Sequence, residues 1–453
     1  MSGSAAPPSY SERNPLPELE AHSELPAYTG RSPPTLRRQS SESPKEFTYE
    51  LTRKSKAWAT LTLQADDRLS KTIPTFVEGS NIAGTVKLQL PEDGDAIQTV
   101  TVSLRGLIIS GANSGEQFTF LDMTSTLWSQ AMGNPNDPPS DSTPEKYTKK
   151  LYGEFTWPYS IPIPKETTVP AGPRDEMQVF RLPQTFLERH TRASIQYEIL
   201  LRIGRNKLRT DHKLTATFGY IPMTRPPAPS MLRQLAYQEN SLLMGPHIDP
   251  DGWHDLPNVK ISGKIFNNRS VDVDCTLSLA KPLSYTRGSV IPLVLRLETK
   301  DLQALDLLAV PKVIAVRLRR TVKYNVNGER TVDTFGWKDE VEHSQLAVWW
   351  PSLEAAEDSS LCTRTVNGEL HLKIDMKPTS AMAHFRVEYT LVLFPFDAIA
   401  FESADTEPLA LQSVEITTAY APGPRPRTYA PPGYDISPAD VPEQHYRPSA
   451  RFL

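Results

Sequence analysis

The chain has 453 residues, which is long enough for two or three folded domains. Its net charge of −4 excludes the strongly basic surface that nucleic-acid binding requires, so no nucleic-acid partner is expected. It contains only two cysteines, too few for a disulfide framework, and its N-terminus lacks the apolar core of a signal peptide. No apolar run reaches the roughly 20 residues of a membrane helix, so a cytoplasmic protein is expected.

Residues 1–55 are rich in proline, serine and glutamate and show no helix or strand periodicity, which predicts a disordered tail. The tail contains the tetrapeptide PPSY at Pro7–Tyr10. It also contains RRQSSESP, in which Ser40 suits a basophilic kinase and Ser43 a proline-directed one. Phosphorylation of Ser40 would add about −2 of charge, and we predict that it regulates the protein. The alternative is that both serines belong to an ordinary polar tail.

Residues 56–224 predict a first β-domain, because apolar and polar side chains alternate along successive segments. In the segment Phe76–Gln89, for example, Ile82, Val86 and Leu88 share one face, and the other face carries Ala83, Thr85, Lys87 and Gln89. This period of two residues is typical of a half-buried strand.

Residues 225–257 are proline-rich and predict a short hinge that contains one amphipathic piece. A second β-domain is predicted at 258–421. Residues 422–453 predict a second disordered, proline-rich tail, which contains the tetrapeptide PPGY at Pro431–Tyr434. Within the second domain, the pairs Asn327-Gly328 and Asn367-Gly368 lie between strand-like runs and predict hairpin turns.

Three segments of the first domain recur in the second in the same order, which indicates two related β-domains in tandem. The pairs are Phe76–Gln89 with Tyr285–Glu298, Thr99–Gly106 with Val313–Arg320, and Ser194–Leu201 with Arg386–Leu393.

A basic run near the end of the first domain is formed by Arg202, Arg205, Lys207 and Arg209. Such a run suits contact with acidic or phosphorylated peptide tails, or with anionic lipid headgroups at a membrane surface. The alternative is that it forms the solvated face of an antiparallel hairpin.

Motifs typical of enzymes are missing from the sequence: there is no nucleophile elbow, zinc-protease motif or phosphate-binding loop. The histidines are scattered. No catalytic residue, metal site or cofactor is therefore expected.

The strand motifs and the flanking PPxY sequences together resemble the α-arrestin (arrestin-domain-containing) family. The family's aromatic-x-x-G-x-x-Φ-x-G-x-V strand corresponds to Phe76–Val86 and its V-x-V-x-L-x-G strand to Val100–Gly106. Its Y-T-x-G-x-x-I-P-L strand corresponds to Tyr285–Leu293. The resemblance extends over residues 57–421 and both tails. It implies an all-β fold of two tandem arrestin-like, immunoglobulin-like antiparallel β-sandwiches between disordered proline-rich tails.

The resemblance also implies a function. A protein of this family would be a non-enzymatic adaptor that recruits a WW-domain HECT-type ubiquitin ligase to membrane transporters or receptors, at the plasma membrane or endosomes, and promotes their ubiquitin-dependent endocytosis. One alternative is an arrestin-fold structural subunit of a trafficking coat, acting without a ligase. Another is a secreted sugar-binding sandwich, which would need a signal peptide and usually disulfides.

The two PPxY sequences are the predicted WW-domain docking sites. Consecutive prolines favour the polyproline II conformation, which enters an aromatic groove with little loss of entropy. Two such motifs on flexible arms would raise the effective concentration for a ligase with several WW domains. The predicted docking residues are Pro7, Pro8, Tyr10, Pro431, Pro432 and Tyr434.

Overall fold

The computed structural model describes residues 44–111, 116–137, 145–171, 176–205, 209–325, 336–352 and 362–434. These residues belong to one compact unit that begins at Pro44. Strands dominate them, and they contain only two α-helices. The predicted all-β fold class is confirmed.

The first half contains two sheets, antiparallel except for one short parallel pair, and a short two-stranded ribbon. Its strands are β1 (Lys45–Arg53), β2 (Lys56–Ala65), β3 (Thr75–Val77), β4 (Asn81–Asp95), β5 (Ile97–Ile109), β6 (Gln117–Ser129), β7 (Leu151–Pro162), β8 (Glu166–Ala171), β9 (Glu176–Arg181), β10 (Ser194–Arg205) and β11 (His212–Ile221). The sheets have the orders β1-β2-β4-β7 and β3-β11-β10-β5-β6, and β8 pairs with β9. Their inward-facing apolar residues form the core of the first sandwich.

The second half begins with a helix and contains two larger sheets. Its elements are α1 (Met231–Glu239), β12 (Trp253–Asp255), β13 (Val259–Ile265), β14 (Arg269–Ala280), β15 (Ser284–Thr286), β16 (Val290–Glu298), α2 (Leu302–Leu308), β17 (Val316–Asn325), β18 (Trp337–Leu346), β19 (Val348–Pro351), β20 (Thr363–His371), β21 (Ser380–Met382), β22 (Phe385–Leu393), β23 (Phe401–Ser403) and β24 (Ala410–Thr417). One sheet has the order β19-β20-β16-β14-β13-β23 with β12 beside β14, and the other has the order β15-β24-β22-β17-β18 with β21 beside β22.

The predicted repeat is confirmed by the topology. The order β3-β11-β10-β5-β6 in the first half corresponds strand by strand to β15-β24-β22-β17-β18 in the second. In both sheets the short first strand pairs parallel to its neighbour, while the other pairs are antiparallel. The three repeated sequence segments fall on β3–β4 and β15–β16, on β5 and β17, and on β10 and β22.

A glycine turn connects the first two strands of each repeat. Gly79 and Gly288 have φ of +83° and +77°, in the region that favours glycine. The amide of Ser80 donates to the carbonyl of Val77 at 3.0 Å, and Ser289 forms the equivalent bond at 3.1 Å. The shared Gly-Ser pair therefore encodes the same turn twice.

The two tyrosines at the centre of the third repeated segment also have equivalent roles. The hydroxyls of Tyr197 and Tyr389 donate to the carbonyls of Pro183 and Lys377, each at 2.7 Å. Both side chains are buried, which raises the pKa of each phenol above its ordinary value. Each tyrosine ties its own strand, β10 or β22, to a segment that precedes that strand in the chain.

The predicted boundary of the first tail is wrong by about ten residues. Strand β1 occupies Lys45–Arg53, a stretch that the sequence assigns to the disordered tail. Phe47, Tyr49 and Leu51 alternate with polar residues, and Tyr49 lies opposite Leu61 of β2. This alternation allows the segment to add an edge strand to the sheet and to pack against the core.

The predicted hinge at 225–257 is packed structure rather than a bare connection. Helix α1 lies within it, and the hydroxyl of Ser230 accepts the amide of Arg233 as an N-cap. The side chain of Arg233 is buried, and its guanidinium donates to the carbonyls of Lys281 and Gly252, each at 2.6 Å. Burial lowers the pKa of Arg233.

One predicted hairpin turn is wrong. The pair Asn367-Gly368 lies inside β20, where Asn367 is opposite Val294 of β16 and Trp350 of β19. Partner strands on both sides keep this segment extended. The pair Asn327-Gly328 lies outside the described residues, although β17 and β18 on either side of it do pair antiparallel.

A partly buried ion pair joins the two halves. Arg320 of β17 donates to both carboxylate oxygens of Glu188 at 2.9 and 2.8 Å, and Glu342 lies 2.7 Å from the same guanidinium. Burial lowers the pKa of Arg320, but the hydrogen bonds and charge of Glu188 outweigh it and hold the pKa above its ordinary value. Phe186 and Phe385 also meet across the halves, with ring centroids 5.0 Å apart.

We predict that Glu188→Gln lowers the free energy of unfolding by about 1–2 kcal/mol, because it removes the charge from a bidentate pair whose side chains are 20% and 26% exposed. Urea denaturation measures the change. Glu342→Gln is the matched control. Its side chain is 55% exposed, so the loss should stay below about 0.5 kcal/mol. Equal losses in the two variants would contradict the conclusion that the partly buried pair of Arg320 and Glu188 stabilises the fold more than the exposed contact with Glu342.

Candidate functional site

A basic cavity lies at one end of the first sandwich, where β1 and β2 meet and β4 and β10 end. Its volume is about 630 Å³. Six cationic and two anionic side chains line it, which gives a net charge of +4. The cationic residues are Arg53, Lys54, Lys56, Lys150, Arg205 and Arg209. A concave site with this charge suits phosphate or carboxylate groups.

The rim of the cavity is shaped by the tight turn between β1 and β2. Lys54 and Ser55 have φ of +49° and +63°, so both central residues of the turn are left-handed. A two-residue hairpin of this kind matches the twist of the strands, but residues other than glycine adopt it at an energetic cost. The turn places Arg53 directly opposite Lys56 at the rim.

Arg205, one of the four residues of the predicted basic run, is held inside the cavity wall. Its Nη2 donates to Oδ2 of Asp95 at 2.5 Å, and the two side chains are 11% and 7% exposed. Its guanidinium also lies 5.8 Å from the ring centroid of Trp58. Arg205 therefore fixes the wall of the cavity, and Asp95 neutralises much of its charge.

The other members of the run have different environments. Arg202 donates from Nε to Asp211 at 2.8 Å. The backbone amide of Arg205 and the side chain of Arg202 both bond to Asp211, and together they lower its pKa. Arg209 is 63% exposed and lies 3.9 Å from Asp95. Lys207 lies outside the described residues. The structure thus gathers Arg205 and Arg209 at the cavity but turns Arg202 toward an intramolecular partner.

Four of the six cations in the cavity are not in the predicted run. Arg53, Lys54 and Lys56 come from the stretch around the first hairpin, and Lys150 comes from the residues before β7. The alternation of KEFTYELTR is the signal that could have located the first strand, and with it the turn that carries these charges.

The PPGY sequence lies on the second half and forms a β-turn. The amide of Tyr434 donates to the carbonyl of Pro431 at 3.1 Å, and Gly433 has a φ of +96°. Proline at the second position and glycine at the third are typical of a type II turn. The polyproline II conformation predicted for the motif is therefore not the one that this chain adopts.

The turn borders a cleft of about 390 Å³ on the outer surface of the second sandwich. Its lining includes Pro431 and Tyr434 of the motif together with Trp253, Val294 and Trp350. Tyr434 is 39% exposed, while Pro431 is half-buried. The sequence predicts a free tail from residue 422, but residues 422–434 pack against the second half.

Several predicted sites fall outside the described residues. These are the first WW-binding motif, Pro7, Pro8 and Tyr10, and the candidate phosphorylation sites Ser40 and Ser43.

Two general features of the described part of the chain bear on function. No cluster of three or more His, Cys, Asp or Glu residues that could hold a metal ion occurs among the residues the structure describes. Within the same residues, neither α-helix is long and apolar enough to cross a membrane.

Both cysteines are free thiols, and burial raises the pKa of Cys275 to about 12.

A scan against protein-family models finds no match, and a search of curated proteins finds none either. The class of the protein rests on its structure: antiparallel sheets packed as sandwiches in an all-β chain, consistent with an arrestin-like two-domain fold.

We predict that His212, which begins β11 beside the cavity, makes the protein less stable at acidic pH. Burial and then the charge of Arg205 lower the pKa of His212 below 6.5, and its ring packs 5.1 Å from that of Trp58. Because the unfolded chain binds the proton more readily, the contribution of neutral His212 to the stability of the fold is present above pH 6.5 and is lost as the pH falls through the folded-state pKa.

The measurement is urea denaturation of the wild type and of His212→Phe at pH 7.5 and pH 5. The free energy of unfolding of His212→Phe relative to that of the wild type should be higher at pH 5 than at pH 7.5. A difference that does not change with pH would contradict the prediction.

Proposed function

We propose that this protein is a non-enzymatic adaptor. Its first half binds acidic or phosphorylated cytosolic tails of membrane transporters or receptors, and its PPxY motifs bind a WW-domain HECT-type ubiquitin ligase. It thereby promotes ubiquitin-dependent endocytosis, with recruitment to the plasma membrane or endosomes. The single observation that supports this most is the placement of the two candidate sites on different halves of one compact unit.

The basic cavity supports the cargo-binding part of the proposal. Arg205 is already paired with Asp95, so the charge available to a ligand comes mainly from the flexible side chains of Lys54, Lys56 and Arg209 at the rim. Flexible ammonium groups tolerate variation in the position of an acidic group. This suits a site that recognises negative charge in many peptide sequences.

The surface position of PPGY supports the ligase-binding part. Pro432, Gly433 and Tyr434 are exposed, so a WW domain can approach the motif without unfolding either sandwich. Docking would require the turn to open, because WW domains take proline-rich peptides in an extended polyproline II conformation.

We predict that the two motifs together account for ligase capture. In a pull-down with tandem WW domains, Tyr10→Ala and Tyr434→Ala should each weaken capture of the full chain, and the double variant should abolish it. Tyr152→Ala, which removes an exposed tyrosine outside the motifs, is the control and should bind like the wild type. Capture of the double variant at wild-type strength would overturn the adaptor proposal and favour the alternative of a coat subunit.

We predict that charge reversal at the cavity rim weakens binding of an acidic partner. Lys54→Glu with Lys56→Glu should reduce affinity for a phosphoserine-rich peptide about ten-fold or more, because it changes the local charge by four units. Fluorescence anisotropy at two salt concentrations measures this, and the wild-type affinity should fall as salt rises.

The matched control is Lys260→Glu with Lys264→Glu, two exposed lysines on β13 of the second half. This variant makes the same change in total charge away from the cavity and should keep most of the affinity. If both double variants lose affinity equally, net charge rather than the cavity determines binding.

A further inference from the structure

The carboxylate of Glu369 is buried by the proline-rich segment that precedes PPGY. Val366 and Leu370 of β20 point into the sandwich core, so Glu369 lies on the outer face of the strand. A glutamate at such a position is ordinarily solvated. Here only 1% of Glu369 is exposed.

Two consecutive backbone amides of the segment donate to this carboxylate. The amide of Tyr429 lies 2.9 Å from Oε2, and the amide of Ala430 lies 3.1 Å from Oε1. His371 lies 3.0 Å from Oε1. A buried carboxylate without such partners is strongly destabilising. Each oxygen of Glu369 therefore accepts an amide from a peptide backbone lying across β20, and the segment supplies the amide contact of Oε2 at 2.9 Å.

Side-chain contacts on either side of this bond set the register of the segment. Arg427 donates to the side-chain oxygen of Asn240, the residue that ends α1, at 3.0 Å. The ring of Tyr429 stacks on Tyr237 of α1 with centroids 6.4 Å apart. The contacts thus combine sequence-independent recognition of backbone with recognition of one aromatic and one cationic side chain.

We propose that Glu369, Tyr237 and Asn240 form a peptide-binding site on the second half, whose ligand is a proline-rich peptide with two consecutive free amides and an aromatic residue. The chain's own residues 427–434 occupy the site in cis, so that docking competes with capture of PPGY by a WW domain. The competition, though not the binding site itself, rests on the proposed function.

The competition follows from the geometry of the docked segment. While the segment is docked, Pro431 is half-buried against the cleft and PPGY is closed into a turn. A WW domain needs the prolines extended, so it binds only the fraction of molecules whose segment has been released. The apparent affinity for the ligase is therefore the intrinsic affinity multiplied by that fraction.

Two variants should release the segment, one altering the binding site and the other the segment itself. Glu369→Gln removes the negative charge from the binding site. Ala430→Pro removes one of the two amide donors from the segment and leaves Pro431, Pro432 and Tyr434 intact. Because the second variant alters only the segment, the sandwich is expected to fold in it even if Glu369→Gln misfolds. Both are made in the full chain carrying Tyr10→Ala, so that only PPGY is measured.

The first measurement is hydrogen exchange of the amide of Tyr429, which does not involve a ligase. In the parent protein this amide should be protected from exchange, and in each variant its exchange should be faster by roughly ten-fold or more. Glu298→Gln, an exposed glutamate on β16, is the matched control and should leave the protection unchanged.

The second measurement is the affinity of the full chain for an isolated WW domain. Each releasing variant should bind roughly ten-fold more tightly than the parent. A synthetic peptide of residues 424–438 should bind more tightly than the parent chain, and Ala430→Pro in that peptide should leave its affinity unchanged. Parent-like exchange and parent-like affinity in both variants would overturn the cis-docking inference while leaving the adaptor proposal standing. If neither the peptide nor any full-length protein binds the WW domain, PPGY is not a WW-docking site and the competition is overturned, and the exchange rates alone decide whether the peptide-binding site exists.

Discussion

The outer face of the larger sheet in the second half is apolar and must be covered. In β16 all six residues Val290–Leu295 are buried, so side chains on both faces of this strand are excluded from water. The equivalent strand of the first half, β4, alternates between buried and less buried residues over Ile82–Leu90. The second sandwich therefore needs a third layer, which helix α1 and the proline-rich segments before and after it provide. Burying apolar surface of this kind at about 25 cal/mol per Å² offsets the entropy lost when a tail is ordered.

Much of the fold could be predicted from the sequence because the strands of the first half face water on one side. Alternation predicted strands, and the three segments that recur in the same order indicated the relation between the halves. The third layer was missed, although a signal for it exists: the unbroken apolar run VIPLVL is typical of a strand buried on both faces. The period-2 pattern of β4 does not hold in β16.

The candidate sites were predictable only in part, because they depend on where residues far apart in the sequence meet. PPGY and Arg205 carry local signals, a proline pair and a basic run. Glu369 carries none, since it follows the pair Asn367-Gly368 that predicts a hairpin turn, and it is buried only because the docked segment covers it. Likewise, the cavity joins Lys54 to Arg209, two residues that no local pattern connects.

One strand runs from the basic cavity to the place where the two halves meet. Strand β11 begins at His212, beside the basic cavity, and ends at Ile221, close to where the two halves meet. Ten residues of strand span about 33 Å. Just beyond its end, the amide of Thr224 donates to the hydroxyl of Thr418 at 2.9 Å, and Thr418 leads directly from β24 into the proline-rich segment. The basic cavity is thus separated by roughly the length of a strand from the point where the segment departs. The contact between the two halves at Thr418 therefore fixes where the segment begins, while Asn240, Tyr237 and Glu369 fix its path across the second half.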